Sequence, residues 1–518
     1  MEQLKTLPIG LQNFERLRRD GFLYIDKTEL IYKLIKGGKY YFLSRPRRFG
    51  KSLLMSTIHA VFDGKRELFD GLAIADKTDM DWAKHPVLHL DLNTNRYDAK
   101  EVLEDKINLF LSEAEDLYGK NPNEKSFGTR FEGVIQRAYD KTGKGVVILV
   151  DEYDKPMLQA IGNVGLQDEF RDTLKGFYGA LKSKDGCIRF ALLTGVTKFG
   201  KVSVFSDLNN LKDISMDYRY TSVCGITEGE LREQMLPYVE RMADANRMST
   251  EECFAKLKNQ YDGYHFCEDS EGIYNPFSIL NAFDENRFKS YWFETGTPTY
   301  LVELLLHDEY NLNDMEHAKV DADTLNSIDS TSRNPIPVIY QSGYLTIKSY
   351  NERFQTYTLG FPNEEVEVGF TKFLLPWYTS KNKDRSVFDI QSYVEDLEAG
   401  NVEQFVKRLK VLFADTPYML IKDLENHYQN VVWLICKLAG VYVQAEYMTS
   451  EGRIDLVLKT PKFCYVMEFK LDGTAEEALA QIEDKHYTLP FEMNGQKIIR
   501  IGMNFSKETK NIENVLIE

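Results

Sequence analysis

Three groups of residues carry the chemistry this sequence could perform. The first is Ser44 to Ser52, reading Ser-Arg-Pro-Arg-Arg-Phe-Gly-Lys-Ser, entered from the apolar run Tyr40 to Leu43 and followed by Leu53-Leu54-Met55. A phosphate-binding loop needs backbone N–H groups converging at a helix N-terminus, a lysine that reaches the terminal phosphates and a hydroxyl for Mg²⁺. Gly50, Lys51 and Ser52 match the end of that pattern. Arg45 stands where its opening glycine belongs, so Arg45, Arg47 and Arg48 are expected beside the phosphates, with Pro46, Phe49 and Leu53 completing the ATP-binding segment. The second group ends the apolar run Val146 to Val150: Asp151 would hold Mg²⁺ together with Ser52, and Glu152 would polarise the attacking water. Thr194, which closes Phe190-Ala191-Leu192-Leu193, would contact the γ-phosphate, or it is an ordinary threonine at a strand end.

The third group lies near the C-terminus, where Gly452-Arg453-Ile454-Asp455 opens one strand and Glu468-Phe469-Lys470 closes the next. Two acids on adjacent strands can hold Mg²⁺ or Mn²⁺, and a lysine beside them can orient water for phosphodiester hydrolysis. Strand alternation puts Glu468 and Lys470 on one face. Gln481 on the following helix and Glu425 on the preceding one would complete the site. The plainer alternative is a same-face ion pair, and Glu-x-Lys at Glu104, Glu483 and Glu508 reads as solvated surface.

These groups need elements to aim them. Tyr40 to Ser44, Val87 to Asp91, Val146 to Asp151, Ile188 to Thr194 and Tyr220 to Gly225 read as strands separated by helical patterns, which implies a parallel α/β sheet with the chemistry at its C-terminal edge. After Gly225, Thr227 with Glu230 and Ser249 with Glu252 have capping-box spacing, so a helical lid or spacer is expected. The aromatic stretch from about 260 to 378, with Tyr261-Asp262-Gly263-Tyr264 and Tyr274-Asn275-Pro276-Phe277, reads as ordered turns and packing anchors. A polar linker is placed at Thr379 to Arg385. Beyond it come helices to about Gly440, strands at Val441 to Tyr447, Ile454 to Lys459 and Cys464 to Lys470, and a helix through Gln481. The expected domains are 1–225, 226–378 and 379–518.

At 518 residues the chain exceeds a single core. An apolar fraction of 43% without any membrane-length apolar run implies a folded soluble protein. The N-terminus lacks a secretory pattern, and the six cysteines (Cys187, Cys224, Cys253, Cys267, Cys436, Cys464) are dispersed without zinc spacing, so a reducing cytoplasm is expected. A net charge of −16 excludes a protein that coats nucleic acid by bulk electrostatics and leaves only a local basic groove.

On these residues, together with Tyr24-Ile25-Asp26-Lys27-Thr28 and Leu193-Thr194-Gly195-Val196, the sequence resembles the bacterial family in which an AAA-ATPase-like domain is fused to a C-terminal PD-(D/E)XK nuclease-superfamily domain. The resemblance implies an ASCE/AAA-like P-loop NTPase sheet with a helical lid, followed by an α/β nuclease-like domain. It makes Arg45 a family trait of the loop. The function expected is an ATP-regulated nuclease acting on DNA or RNA, with a homo-oligomer compatible with the pattern. The rival is a regulatory ATPase switch whose C-terminal domain binds nucleic acid or protein without cutting, and a third class is a scaffold with both sites degenerate.

Overall fold

Strand β3 (Val146–Asp151) explains the architecture of the first half, because all six of its residues are buried and such a strand must be covered on both faces. The computed structural model describes residues 4–198, 204–205, 210–295, 301–302, 304–305, 310–315, 317–326, 328, 334–378, 386–414, 424–438, 442–449 and 452–518. In it β1 (Tyr40–Ser44), β2 (Val87–Asp91), β3, β4 (Ile188–Gly195) and β5 (Lys212–Asp213) form one sheet in the order β2-β3-β4-β1-β5, with every neighbouring pair parallel. Strand β4 divides β1 from β3, so the loop after β1 and the acids ending β3 flank the end of β4 on either side.

The fifth strand is not where the sequence places it. Lys212–Asp213 fills the edge beside β1, whereas Tyr218–Tyr220 is a short 3-10 turn. The chain then turns away at Gly225, whose φ of 90° is left-handed and whose N–H donates to the Phe49 carbonyl at 3.1 Å. It enters β6 (Ile226–Thr227), paired antiparallel with β7 (Ile273–Tyr274). Both helices expected from capping boxes are present, Glu228–Gln234 after Thr227 and Thr250–Tyr261 after Ser249. Their apolar residues Leu231, Phe254 and Leu257 join Met235 and Ile279 in one buried cluster. Strands β8 (Lys319–Asp321), β9 (Thr346–Asn351) and β10 (Thr356–Gly360) make a separate antiparallel sheet in the order β8-β10-β9.

The chain divides into two compact units, Met1–Thr295 with Lys319–Glu365, and Gly296–Ala318 with Val366–Glu518. The stretch 226–378 is thus shared between them, and the linker expected at 379–385 lies outside the described residues. The second unit carries β11 (Tyr442–Met448), β12 (Arg453–Lys459), β13 (Phe463–Leu471), β14 (Lys497–Ser506) and β15 (Asn511–Ile517), in that order across the sheet. Only β13 and β14 run parallel, and helix Ala475–Asp484 makes the crossover between them. That helix lies so close to β14 that a Cβ at Gly502 would stand 2.3 Å from the Ala475 carbonyl oxygen. No described helix is long and apolar enough to cross a membrane.

Candidate functional site

The loop after β1 ends at Gly50, the N-cap of helix Lys51–Phe62, with φ at 93° and no side chain capping the helix. The first-turn N–H groups lack intrahelical acceptors, which is the basis of anion binding at such a terminus. Lys51 is buried; its Nζ donates to the carbonyls of Arg45 at 3.0 Å and Pro46 at 3.2 Å, and pairs with Glu152 Oε1 at 3.1 Å. Asp151 accepts from two hydroxyls, Ser52 Oγ at 2.6 Å on Oδ2 and Thr194 Oγ1 at 2.5 Å on Oδ1. Helix start, β3 and β4 therefore meet on one carboxylate. Glu152 has φ at 55°, an uncommon conformation for a residue with a side chain, at the point where the chain leaves β3.

The other loop residues divide into those held inside and those facing out. Arg45 is 1% exposed, and its guanidinium donates to the carbonyls of Ser44, Ser215 and Tyr220 at 2.9, 2.8 and 3.2 Å while lying 3.8 Å over the Phe266 ring. Burial lowers its pKa to about 10. The expectation that Arg45 stands with its charge toward phosphate meets a guanidinium directed instead at the main chain beneath the loop. Arg47 and Arg48 are exposed. Phe49 is fully buried, edge-on to Tyr264 and Phe266 at 4.8 and 5.6 Å, and Pro46 packs against Gly343, where a Cβ would come within 2.6 Å. Leu53 and Gly50 line a cavity of about 100 Å³ whose walls are mainly apolar, among them Leu23, Ile25, Val223, Ile226 and Leu280.

A residue the sequence reading missed is Asp154. It is fully buried and accepts from the N–H groups of Val196 at 3.2 Å and Thr197 at 2.6 Å and from Thr197 Oγ1 at 2.7 Å, pinning the segment after Glu152 to the end of β4. Burial, and then the charge of Glu152, raise its pKa. The signal was the third acid in Val150-Asp151-Glu152-Tyr153-Asp154.

In the second unit the register Leu456↔Met467, continued by one residue, places Asp455 opposite Glu468. The two strands lock reciprocally: the Asp455 N–H donates to Glu468 Oε2 at 3.3 Å, and the Phe469 N–H donates to Asp455 Oδ2 at 2.8 Å. Lys470 Nζ lies 3.8 Å from Glu468 Oε1 and donates to Gln481 Oε1 at 2.5 Å, while Gln481 Nε2 donates to Glu468 Oε1. Asp455, Glu468, Lys470 and Gln481 are thus one cluster. Burial, and then the charge of Asp455, raise the pKa of the 2% exposed Glu468. Tyr487, also missed, accepts from Gln481 Nε2 at 3.5 Å and donates to the Arg453 carbonyl at 2.9 Å. Glu425 lies on helix Leu424–Leu438, its side chain outside the described ones. Among the described residues no three His, Cys, Asp or Glu side chains converge as a metal cage. The carboxylate oxygens of both sites are hard donors of the kind Mg²⁺ takes.

Compared with known proteins, residues 8–205 match the family described as Predicted AAA-ATPase, and residues 423–515 match the PD-(D/E)XK nuclease superfamily. The chain belongs to the family that joins these two domains in that order. Over 526 aligned positions, 99% of each chain, it is 34% identical to a protein of Azotobacter chroococcum mcd 1 that bears the name "Uncharacterized protein in vnfD 5'region".

Proposed function

We propose that the protein is an ATP-hydrolysing switch that governs a metal-dependent nuclease site on the same chain. The observation that carries the reading is the pairing of Lys51 with Glu152 at 3.1 Å beside an Asp151 carboxylate shared by Ser52 and Thr194. When the phosphates of ATP enter the loop they compete for the Lys51 ammonium and release Glu152. That carboxylate then accepts a proton from the water attacking the γ-phosphorus as the bond to the ADP oxygen breaks. Ser52 and Asp151 would hold Mg²⁺, which supplies neutralisation of phosphate charge. The apolar cavity beside Gly50 and Leu53 suits the base.

At the second site Asp455 and Glu468 would hold Mg²⁺ or Mn²⁺, which supplies polarisation of a phosphodiester and an acidified water. Lys470, on the same face, orients that water and balances charge on the phosphate once Gln481 yields it. DNA or RNA is the substrate class. A non-cleaving binding module is the second reading. It is favoured by the engagement of both carboxylates in protein hydrogen bonds.

Cleavage of mixed DNA and RNA with Mn²⁺, with and without ATP, tests both. The intact chain should cut, Glu468→Ala with Lys470→Ala should not cut yet still bind ATP, and Lys51→Ala should bind ATP about a hundredfold more weakly, as expected when one partner of a desolvated charge contact is removed. Unchanged ATP affinity in Lys51→Ala sinks the ATPase reading. Absence of cleavage with nucleic-acid binding retained selects the binding module.

A further inference from the structure

The phosphate-binding loop is gripped by residues far along the chain. The Trp292 indole N–H donates to the Arg47 carbonyl at 3.1 Å, and the Arg48 guanidinium lies 4.9 Å over the Phe277 ring. Trp292 is itself fixed. Its backbone N–H donates to the buried Glu365 at 2.9 Å, the same carboxylate accepts from the Tyr291 N–H and the Ser278 hydroxyl, and its ring packs 5.0 Å from Tyr344. An indole placed this way offers its hydrogen bond at a set point in space.

The consequence lies in the peptide plane. The carbonyls of Arg45 and Pro46 face the Lys51 ammonium, whereas that of Arg47 faces Trp292. In a trans peptide the carbonyl and the following N–H point in opposite directions, so the Arg48 N–H is turned away from Trp292. Arg48 has φ at 66°, a left-handed conformation that side-chain-bearing residues rarely adopt. Residues in that conformation within a turn build the concave arrays of N–H groups that bind anions. In a loop lacking its opening glycine, something outside must hold this geometry.

We propose that Trp292 is a positioning residue for ATP: its hydrogen bond to Arg47 holds the Arg48 N–H toward bound phosphate, and Phe277 secures the Arg48 side chain in support. This rests on the ATP reading of the loop and gives the aromatic stretch after residue 260 a role in nucleotide affinity.

The test uses the full-length chain, ATP with Mg²⁺ and isothermal titration calorimetry. Trp292→Phe keeps the ring stack and deletes the donor; it should bind ATP about tenfold more weakly, the loss expected when the Arg48 N–H no longer donates to charged phosphate, while melting close to the parent without nucleotide. Glycine accepts φ of 66° freely, so in an Arg48→Gly background the same substitution should weaken binding by no more than about twofold, since the plane no longer needs an external hold. Equal loss in both backgrounds means a general packing role and overturns the inference, as does parental affinity in Trp292→Phe. If Trp292→Phe does not fold, Phe277→Leu takes its place: ATP binding a few-fold weaker supports the inference, and unchanged binding overturns it. A parent that binds no ATP removes the nucleotide reading together with this inference, whereas a parent that binds with an indifferent Trp292→Phe removes the inference alone.

Discussion

The site around Lys51 and the acid-pair site both hold carboxylates out of water, and they are supported differently. In the first, Lys51 sits directly on Glu152, and the loop that carries it is propped by residues 215 to 221, 264 to 266, 292 and 343. In the second, every described member comes from β12, β13 and the helix that follows, and the lysine leans on Gln481 more closely than on Glu468. The first site is structurally dependent on distant chain. The second is structurally local, and burial together with Asp455 holds its Glu468 carboxyl against ionisation, which is the condition a cation relieves. Movement of remote segments should therefore govern the former, and metal and proton concentration the latter.

The largest effect is expected from Glu152→Gln. The amide keeps an acceptor for Lys51, so ATP and Mg²⁺ should still bind, while hydrolysis drops by roughly a thousandfold for loss of the base. Binding lost together with turnover would make Glu152 a ligand and not the base.

A smaller effect should appear with pH. Because the folded-state pKa of Glu468 is raised above the ordinary carboxylate value by burial and by Asp455, the stability it contributes is present at low pH and is lost as pH rises through the raised value. The melting temperature of the second unit without divalent ions should fall over that window, and Mn²⁺ should restore it, with affinity rising by up to about tenfold per pH unit for the one proton displaced. Glu468→Gln should flatten both dependences. A metal-free melting profile that does not change between parent and Glu468→Gln would show that Glu468 does not titrate in this window.

The smallest is Tyr487→Phe, which removes the hydroxyl between Gln481 and the Arg453 carbonyl. It should cost about 1 kcal/mol of stability and slow cleavage a few-fold, read by chemical denaturation and by the cutting rate, without altering ATP binding. An effect on ATP affinity would contradict the local character of the second site.

The sequence exposed what is encoded in local pattern. Continuous apolar runs disclosed β1, β3 and β4, capping boxes disclosed the helix starts at Thr227 and Ser249, and alternation put Glu468 beside Lys470. It did not disclose β5, because Lys212–Asp213 is two polar residues long and its neighbour β1 supplies the pairing; the more apolar run at Tyr220 attracted the assignment instead. Strands β14 and β15 went unassigned. Gly502 interrupts the pattern of β14 for the sake of the helix crossing it, and β15 is a largely exposed edge. Arg45 was read by its charge, whereas its role follows from carbonyls about 170 residues away. Tyr487 and Trp292 carry no local signal, since their contacts with Arg453 and Arg47 arise only from the fold.

The far-flung supports of the phosphate loop also set an order of assembly. Contacts spanning long stretches of chain form late, after the loop-closure entropy between them has been overcome. The matched family segment ends at residue 205, before any of the partners that hold Arg45, Pro46, Arg47 and Phe49 from outside the sheet has been synthesised. On the ribosome the sheet can collapse early around β1, β3 and β4, but the loop stays unfinished until Gly343 has emerged. A chain ending at residue 205 should therefore keep β1 to β4 paired and lack a formed loop after β1.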